Sequence, residues 1–219
     1  MTKRSLQLAA LGLMLLPALA AFPGGWAVVT VQELPDYAVA GQPIDLTYTV
    51  RQHGVDRLDG LRGTVEAQAG RLTARSEIVA GQGRGTYRTT ITLPEPGDWT
   101  ITIHSGFGNS RVTLLPITAM ARGIASRALA DAERGRRLFV GKGCVTCHMH
   151  GDVKESGGGR VGPELTGRRF PPEYLAQYLA DPSIRTSADG NRMPNLELRG
   201  AEIAALVTFI NTERQALAR

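Results

Sequence analysis

Residues 143–151 read GCVTCHMHG and hold both cysteines of the 219-residue chain, with a histidine directly after the second. If this stretch turns helically, Cys144, Cys147 and His148 stand at i, i+3 and i+4 and project from one side. Two thiols in an exported chain suggest one disulfide by default. A redox dithiol of the thioredoxin type needs a βαβ setting, whereas these residues follow a helical pattern and precede a glycine-rich loop. Structural zinc needs four ligands, and neither a second cysteine pair nor a spaced histidine pair is present.

The reading that fits is c-type haem attachment: two sulfurs form thioethers to the vinyl groups of one haem, and the adjacent imidazole reaches the iron. The opposite axial position is assigned by elimination. Met1 and Met14 lie in an apolar leader, and Met149 and His150 follow His148 too closely for the chain to pass around a macrocycle. Met120, His53 and His104 belong to the linker or the N-terminal half. Met193 remains, in DGNRMPNLELRG (189–200), with Pro194 stiffening the turn that presents its sulfur. His/Met ligation fills both axial sites and suits electron transfer. Were Met193 core filler instead, the open site would suit a haem sensor or peroxidase.

Outward from the motif, the C-terminal part reads as helices joined by long loops. ASRALADAERGRRLF (125–139) is a helix former, PPEYLAQYLADP (171–182) starts at a permitted proline and stops before another, and GAEIAALVTFINTERQ (200–215) places Ile203, Leu206, Val207 and Ile210 on one face. The loop GDVKESGGGRVGPELTGRRF (151–170) is too long for so small a domain unless something other than apolar residues organises it.

The N-terminal half has period two. VVTV, IDLTYTV, GTYRTTITL, WTITIHS and RVTLLPI alternate or are β-branched, and AGQP, GQGRG, PEPGD and GFGN between them are turn chemistry. This predicts an antiparallel β-sandwich of about seven strands, anchored by Trp99 and Tyr87. Before it, Lys3 and Arg4 precede an apolar run from Leu6 to Ala21 with small residues at Ala18 and Ala20, the layout of a secretory signal. Uncut, the run would extend about 25 Å at ~1.5 Å per residue, short of a bilayer's ~30 Å core. The expected organisation is a signal peptide or N-terminal anchor at 1–21, the sandwich at 26–118, a linker at 119–128 and the helical domain at 129–219. Without the leader the net charge is +3, and the part from Ala121 onward carries +4, mildly basic. The excess reads as a solvated surface, with a docking face for an acidic partner as the alternative. An exported chain is expected to bind no nucleic acid.

From about Ala130 to Gln215 the sequence resembles the class I, single-haem c-type cytochromes, through GRRLFVGKGCVTCH, GPELTG, RMP and EIAALVTFI. The resemblance implies an all-α fold and one covalently bound haem c on Cys144 and Cys147. It implies that Gly135 and Phe139 on the first helix meet Phe209 on the last, and that the Pro163 carbonyl orients His148. Arg168 and Arg169 are candidate haem-propionate contacts, and the glycine-rich insert between His148 and Gly162 departs from the family pattern. The expected activity is periplasmic electron transfer between redox partner proteins, a membrane oxidase or reductase complex among them, rather than enzymatic turnover. An uncut leader would tether the chain to a membrane. The N-terminal half is similar to immunoglobulin-like domains of the FixH and YtkA type. That likeness implies a docking module or, alternatively, a copper-handling or oxidase-assembly factor using His53, His104 and Met120.

Overall fold

Side chains that alternate between a packed and an exposed face build the first part of the molecule. A computed structural model describes residues 25–153, 161–185 and 193–212. The predicted leader lies outside the described residues, as do parts of the two long loops. One sheet comprises β1 (Ala27–Val31), β3 (Pro43–Gln52), β8 (Thr86–Thr92) and β7 (Val79–Ala80) in that order, with β4 (Asp56–Arg57) also on β3. The other runs β2 (Ala38–Val39), β11 (Ile117–Met120), β9 (Gly97–His104), β5 (Thr64–Ala69), β6 (Leu72–Glu77), with β10 (Arg111–Thr113) also on β9.

Trp99, Tyr48, Leu46, Ile101 and Ile103 are fully buried between these sheets. Trp99 and Tyr87 keep their polar ends paired: Trp99 Nε1 donates to the Glu95 carbonyl at 2.9 Å, and Tyr87 donates from its hydroxyl to the Leu58 carbonyl at 2.7 Å. Two features differ from the sequence expectation. β2 pairs with β11 in parallel, so the sandwich is mixed rather than wholly antiparallel. Among the described residues eleven strands replace about seven, because three are two-residue fragments and the β5–β6 hairpin has few apolar positions, its fully buried ones being Val65 and Ala67.

The helical part comprises α1 (Asp131–Gly141), α2 (Pro172–Ala180) and α3 (Gly200–Ile210). The first helix starts six residues later than its alanine-rich pattern predicts. Asp131 and Glu133 fill its first turn, where the helix dipole favours anions, and the stretch before them supplies no such group. α1 crosses α3 closely: a Cβ on Gly135 would lie 2.0 Å from the Ala205 carbonyl oxygen and 2.6 Å from Phe209 Cβ. The rings of Phe139 and Phe209 sit 5.6 Å apart beside this crossing.

The helical part covers the outer face of β1 and β3. An antiparallel strand with one solvated face alternates in burial, yet all five residues of β1 are buried, and so are the outward Thr49 and Arg51 of β3. Lys142, just beyond α1, donates to the Gln32 carbonyl and pairs with Glu202 of α3, both at 2.7 Å. Its side chain is 2% exposed and that of Glu202 7%, so neither charge is compensated by water. Arg134 pairs with Asp36, and Arg137 donates to the Asp36 carbonyl at 3.1 Å.

Candidate functional site

After α1 the chain needs a sharp turn, and Gly143 supplies it with φ +83°, a left-handed conformation that glycine adopts without strain. Its missing side chain also admits β1: a Cβ there would fall 2.5 Å from Val28 Cγ1 and 2.8 Å from the Val29 carbonyl oxygen. Residues Cys144–Thr146 then form one 3₁₀ turn, with Cys147 N and His148 N both donating to the Cys144 carbonyl at 3.1 and 2.8 Å. The two cysteines are free thiols. Burial pushes the Cys144 thiol up to about 12 and raises Cys147 as well. That is the reverse of the lowered pKa an attacking dithiol requires.

The described ends of the glycine-rich loop fold back over this turn. Gly162 N donates to the Cys147 carbonyl and Leu165 N to the Met149 carbonyl, each at 2.9 Å, and Gly151 N donates to Thr166 Oγ1 at 2.9 Å. The half-buried His148 places Nδ1 2.9 Å from the Pro163 carbonyl oxygen. A carbonyl only accepts, so Nδ1 carries the proton and Nε2 keeps its lone pair in the neutral ring. Burial favours that neutral form, lowering the His148 pKa against the opposing effect of the Pro163 bond. Gly162 lies flat against the same ring: a Cβ there would be 2.4 Å from Cε1 and 2.6 Å from Nδ1. Local backbone bonds and a missing side chain thus fix one imidazole beside two unbonded sulfurs.

Met193 is half-buried and packs against the core. Pro194 lies over Gly54 in the turn between β3 and β4, whose Cβ would meet Pro194 Cγ at 3.0 Å. Arg168 and Arg169 are exposed. His150, set aside as a ligand in the sequence, is buried in the helix crossing with its ring 4.3 Å from Phe209 and 5.7 Å from Phe139. Nothing in its local spacing marks it as core. The three candidate copper ligands do not converge. Ala119 pairs with Gly97 at the start of β9 and His104 ends that strand, so Met120 and His104 lie more than about 20 Å apart at ~3.3 Å per residue. His53 instead stacks edge-on against Trp26 at 5.6 Å. Among the described residues no group of three or more histidine, cysteine or acidic side chains is placed to hold a metal ion.

These features are those expected of a c-type cytochrome domain, and a family comparison supports such a domain at the C-terminus. Residues 130–210 match the family of Cytochrome C oxidase, cbb3-type, subunit III, a domain that implies a haem cofactor and electron transfer. No curated protein matches the chain. Among solved structures, the S-layer protein SbsC, domains 1–6, is 23% identical with a TM-score of 0.33, over 45% of this chain and 13% of that one. The Lin-41 filamin domain is 12% identical with a TM-score of 0.35, over 43% and 91%. This chain therefore spans only a small part of the SbsC fragment.

The residues fit a haem through the chemistry of the donor set: two thiols on one helical turn, an imidazole whose distal nitrogen has its lone pair free, and a flat glycine cradle beneath the ring. Such second partners set the orientation and basicity of a ligating histidine.

Proposed function

We propose that this chain is an extracytoplasmic one-electron carrier with a single haem c, held covalently by Cys144 and Cys147 and ligated by His148 and Met193. When bound, the haem supplies the Fe(III)/Fe(II) couple. The chain's own residues do the rest. Pro163 holds the Nδ1 proton of His148 and keeps Nε2 a donor, Gly162 leaves the ring room, and Met193 supplies a thioether, which raises the reduction potential relative to a second nitrogen. Arg168 and Arg169, both exposed, are the proposed propionate contacts. The domain limits proposed are 26–118 for an immunoglobulin-like sandwich and 129–219 for the cytochrome domain, joined by 119–128. The sandwich serves as a docking module for a redox partner, a membrane oxidase or reductase complex among them; the family match is consistent with an oxidase. Among the described residues no helix is long and apolar enough to cross a membrane, so tethering would fall to the leader.

The observation that carries this reading is the 2.9 Å contact of His148 Nδ1 with the Pro163 carbonyl beside two free thiols, inside the segment that matches a cytochrome family. The test is expression of the full chain in a host that attaches haem to exported proteins. The pigment should resist acid acetone, and the oxidised protein should show the weak sulfur-to-iron band near the red edge, lost on Met193→Ala. Carbon monoxide should change the reduced spectrum little. A colourless product, or one that gives up its pigment to acid acetone, overturns the assignment.

A further inference from the structure

The chain immediately after Met193 is tied to the sandwich. Pro194 rests on Gly54, and Glu197, four residues beyond the methionine, pairs with two arginines of β3 and β4: Arg51 at 3.2 Å, and Arg57. Arg199 reaches Glu33 at 2.9 Å. Glu197 has φ +58°, a left-handed conformation that a non-glycine residue holds only where its surroundings over-determine it. Its N–H is satisfied by Asn195 Oδ1 at 2.8 Å, which closes the turn and aims the carboxylate at the sandwich.

Arg51 makes this tie hard to release. Its side chain is 4% exposed, its other donors go to the Thr30 and Thr49 hydroxyls, and Glu197 is the carboxylate that meets it. A buried guanidinium left without its anion is strongly disfavoured. Moving the loop away would strand that charge under the helical domain. Val28 of β1 adds a second link. One of its methyls faces Gly143, the residue before Cys144, and the other faces Gly54 beneath Pro194. The same strand therefore supports the attachment turn and the methionine loop.

We infer that the β-sandwich is an intramolecular brace for the Met193 loop, with Glu197, Arg51 and Arg57 as positioning residues that keep the methionine sulfur available as the sixth ligand. The inference rests on the reading of Met193 as an axial ligand and adds to the sandwich a role besides docking. A thioether is a weak iron ligand, so its occupancy depends on how firmly the loop is held, and a competing ligand reports the fraction of molecules in which it has let go.

The experiment uses the full-length holoprotein, oxidised, at neutral pH. Glu197→Ala should weaken the sulfur-to-iron band, lower the reduction potential and raise the apparent affinity for imidazole by about tenfold, in proportion to the detached fraction. Arg57→Ala should act in the same direction. Arg57 lies 140 residues from Glu197 in sequence, and its other side-chain bond, to the Arg84 carbonyl at 3.3 Å, stays within the sandwich, so an effect on the haem would point to the Glu197 contact. Glu197→Gln, which keeps an oxygen for Arg51, should recover part of the band. Covalent haem content should be the same in all four proteins. Wild-type band, potential and imidazole affinity in both alanine variants would overturn the brace while leaving the cytochrome reading intact. A wild-type protein with haem but no sulfur-to-iron band would instead remove Met193 as ligand, and the brace with it.

Discussion

The two sides of the proposed haem site are held in different ways. His148 is fixed by residues within about 20 positions of it: Cys144 sets the turn, the Pro163 carbonyl accepts the Nδ1–H hydrogen bond, and Gly162 lies against its ring. The chain after Met193 is held mainly by residues roughly 140 positions away, on β3 and β4. One side can form as soon as its own segment folds. The other must wait for the sandwich, since contacts at long sequence separation form only after the intervening chain is ordered. Under the proposed brace, the β-sandwich would govern the more labile half of the proposed redox centre without supplying a ligand to it.

Lys142 belongs to both halves, which makes it the most damaging place to cut. It joins the end of α1 to Gln32 of the sandwich and to Glu202 of α3, with both charges buried. Lys142→Met takes the buried cation from Glu202 and leaves it only the exposed Arg199 guanidinium, at 3.0 Å, and the Arg199 N–H, so the loss should approach, without exceeding, the roughly 3–5 kcal/mol of a broken buried pair. Adding Glu202→Leu should recover most of that loss, because the pair itself contributes little once both charges are gone. Urea denaturation followed by tryptophan fluorescence checks both. An unrecovered double variant would show that the lysine matters through packing rather than charge.

Gly162→Ala tests the local half alone. A Cβ 2.4 Å from the His148 ring forces the imidazole to shift, and overpacking of this kind costs about 1–3 kcal/mol. The loss should appear equally at low and high salt, because no ion pair is involved, and the imidazole affinity of the oxidised protein should rise less than in Glu197→Ala.

A graded effect follows from pH. Burial acts to raise Glu202 and Glu133, but the Arg199 N–H and Lys142 at Glu202, and Arg136 and Arg137 at Glu133, outweigh it and hold both carboxyls below their ordinary value. The folded protein therefore binds these protons less readily than the unfolded chain. Their stabilisation is complete above about pH 4.5, the unmodified value, and declines as the pH falls through the folded values. The urea midpoint should drop between pH 5 and pH 3, and the decline should be shallower in Glu202→Gln.

How much of this was legible in the sequence follows the same division. The spacing of Cys144, Cys147 and His148 is a short-range pattern, and all three lie on or beside one turn; the meeting of Gly135 and Phe139 with Phe209 came from the family resemblance, and the fold contains that crossing. The β5–β6 hairpin escaped because only Val65 and Ala67 of it are fully buried, too few apolar positions to show a period of two. The interface escaped because Thr49, Arg51, Lys142 and Glu202 read as surface residues in a local window, and only distant partners bury them. One sign was present: in β1, VVTV never returns to a charged residue, as a strand covered on both faces should not. Glu197 gave no such sign, because neither its left-handed backbone nor its arginine partners can be inferred from NLEL.

The smallest predicted effect concerns a contact that looks equivalent on paper. Arg199 and Glu33 also join the helical part to the sandwich, at 2.9 Å, but their side chains are 58% and 79% exposed. Water screens that pair and competes for both ends, so Glu33→Gln should change stability by no more than about 0.5 kcal/mol, and less at high salt. The sulfur-to-iron band should be untouched. If Glu33→Gln instead weakened the band as much as Glu197→Ala, any charge across the seam would serve as a brace, and the burial of Arg51 would lose its special role. The comparison turns on desolvation: two ion pairs of similar length span the same interface, and only the one whose cation is out of reach of water should hold the methionine loop.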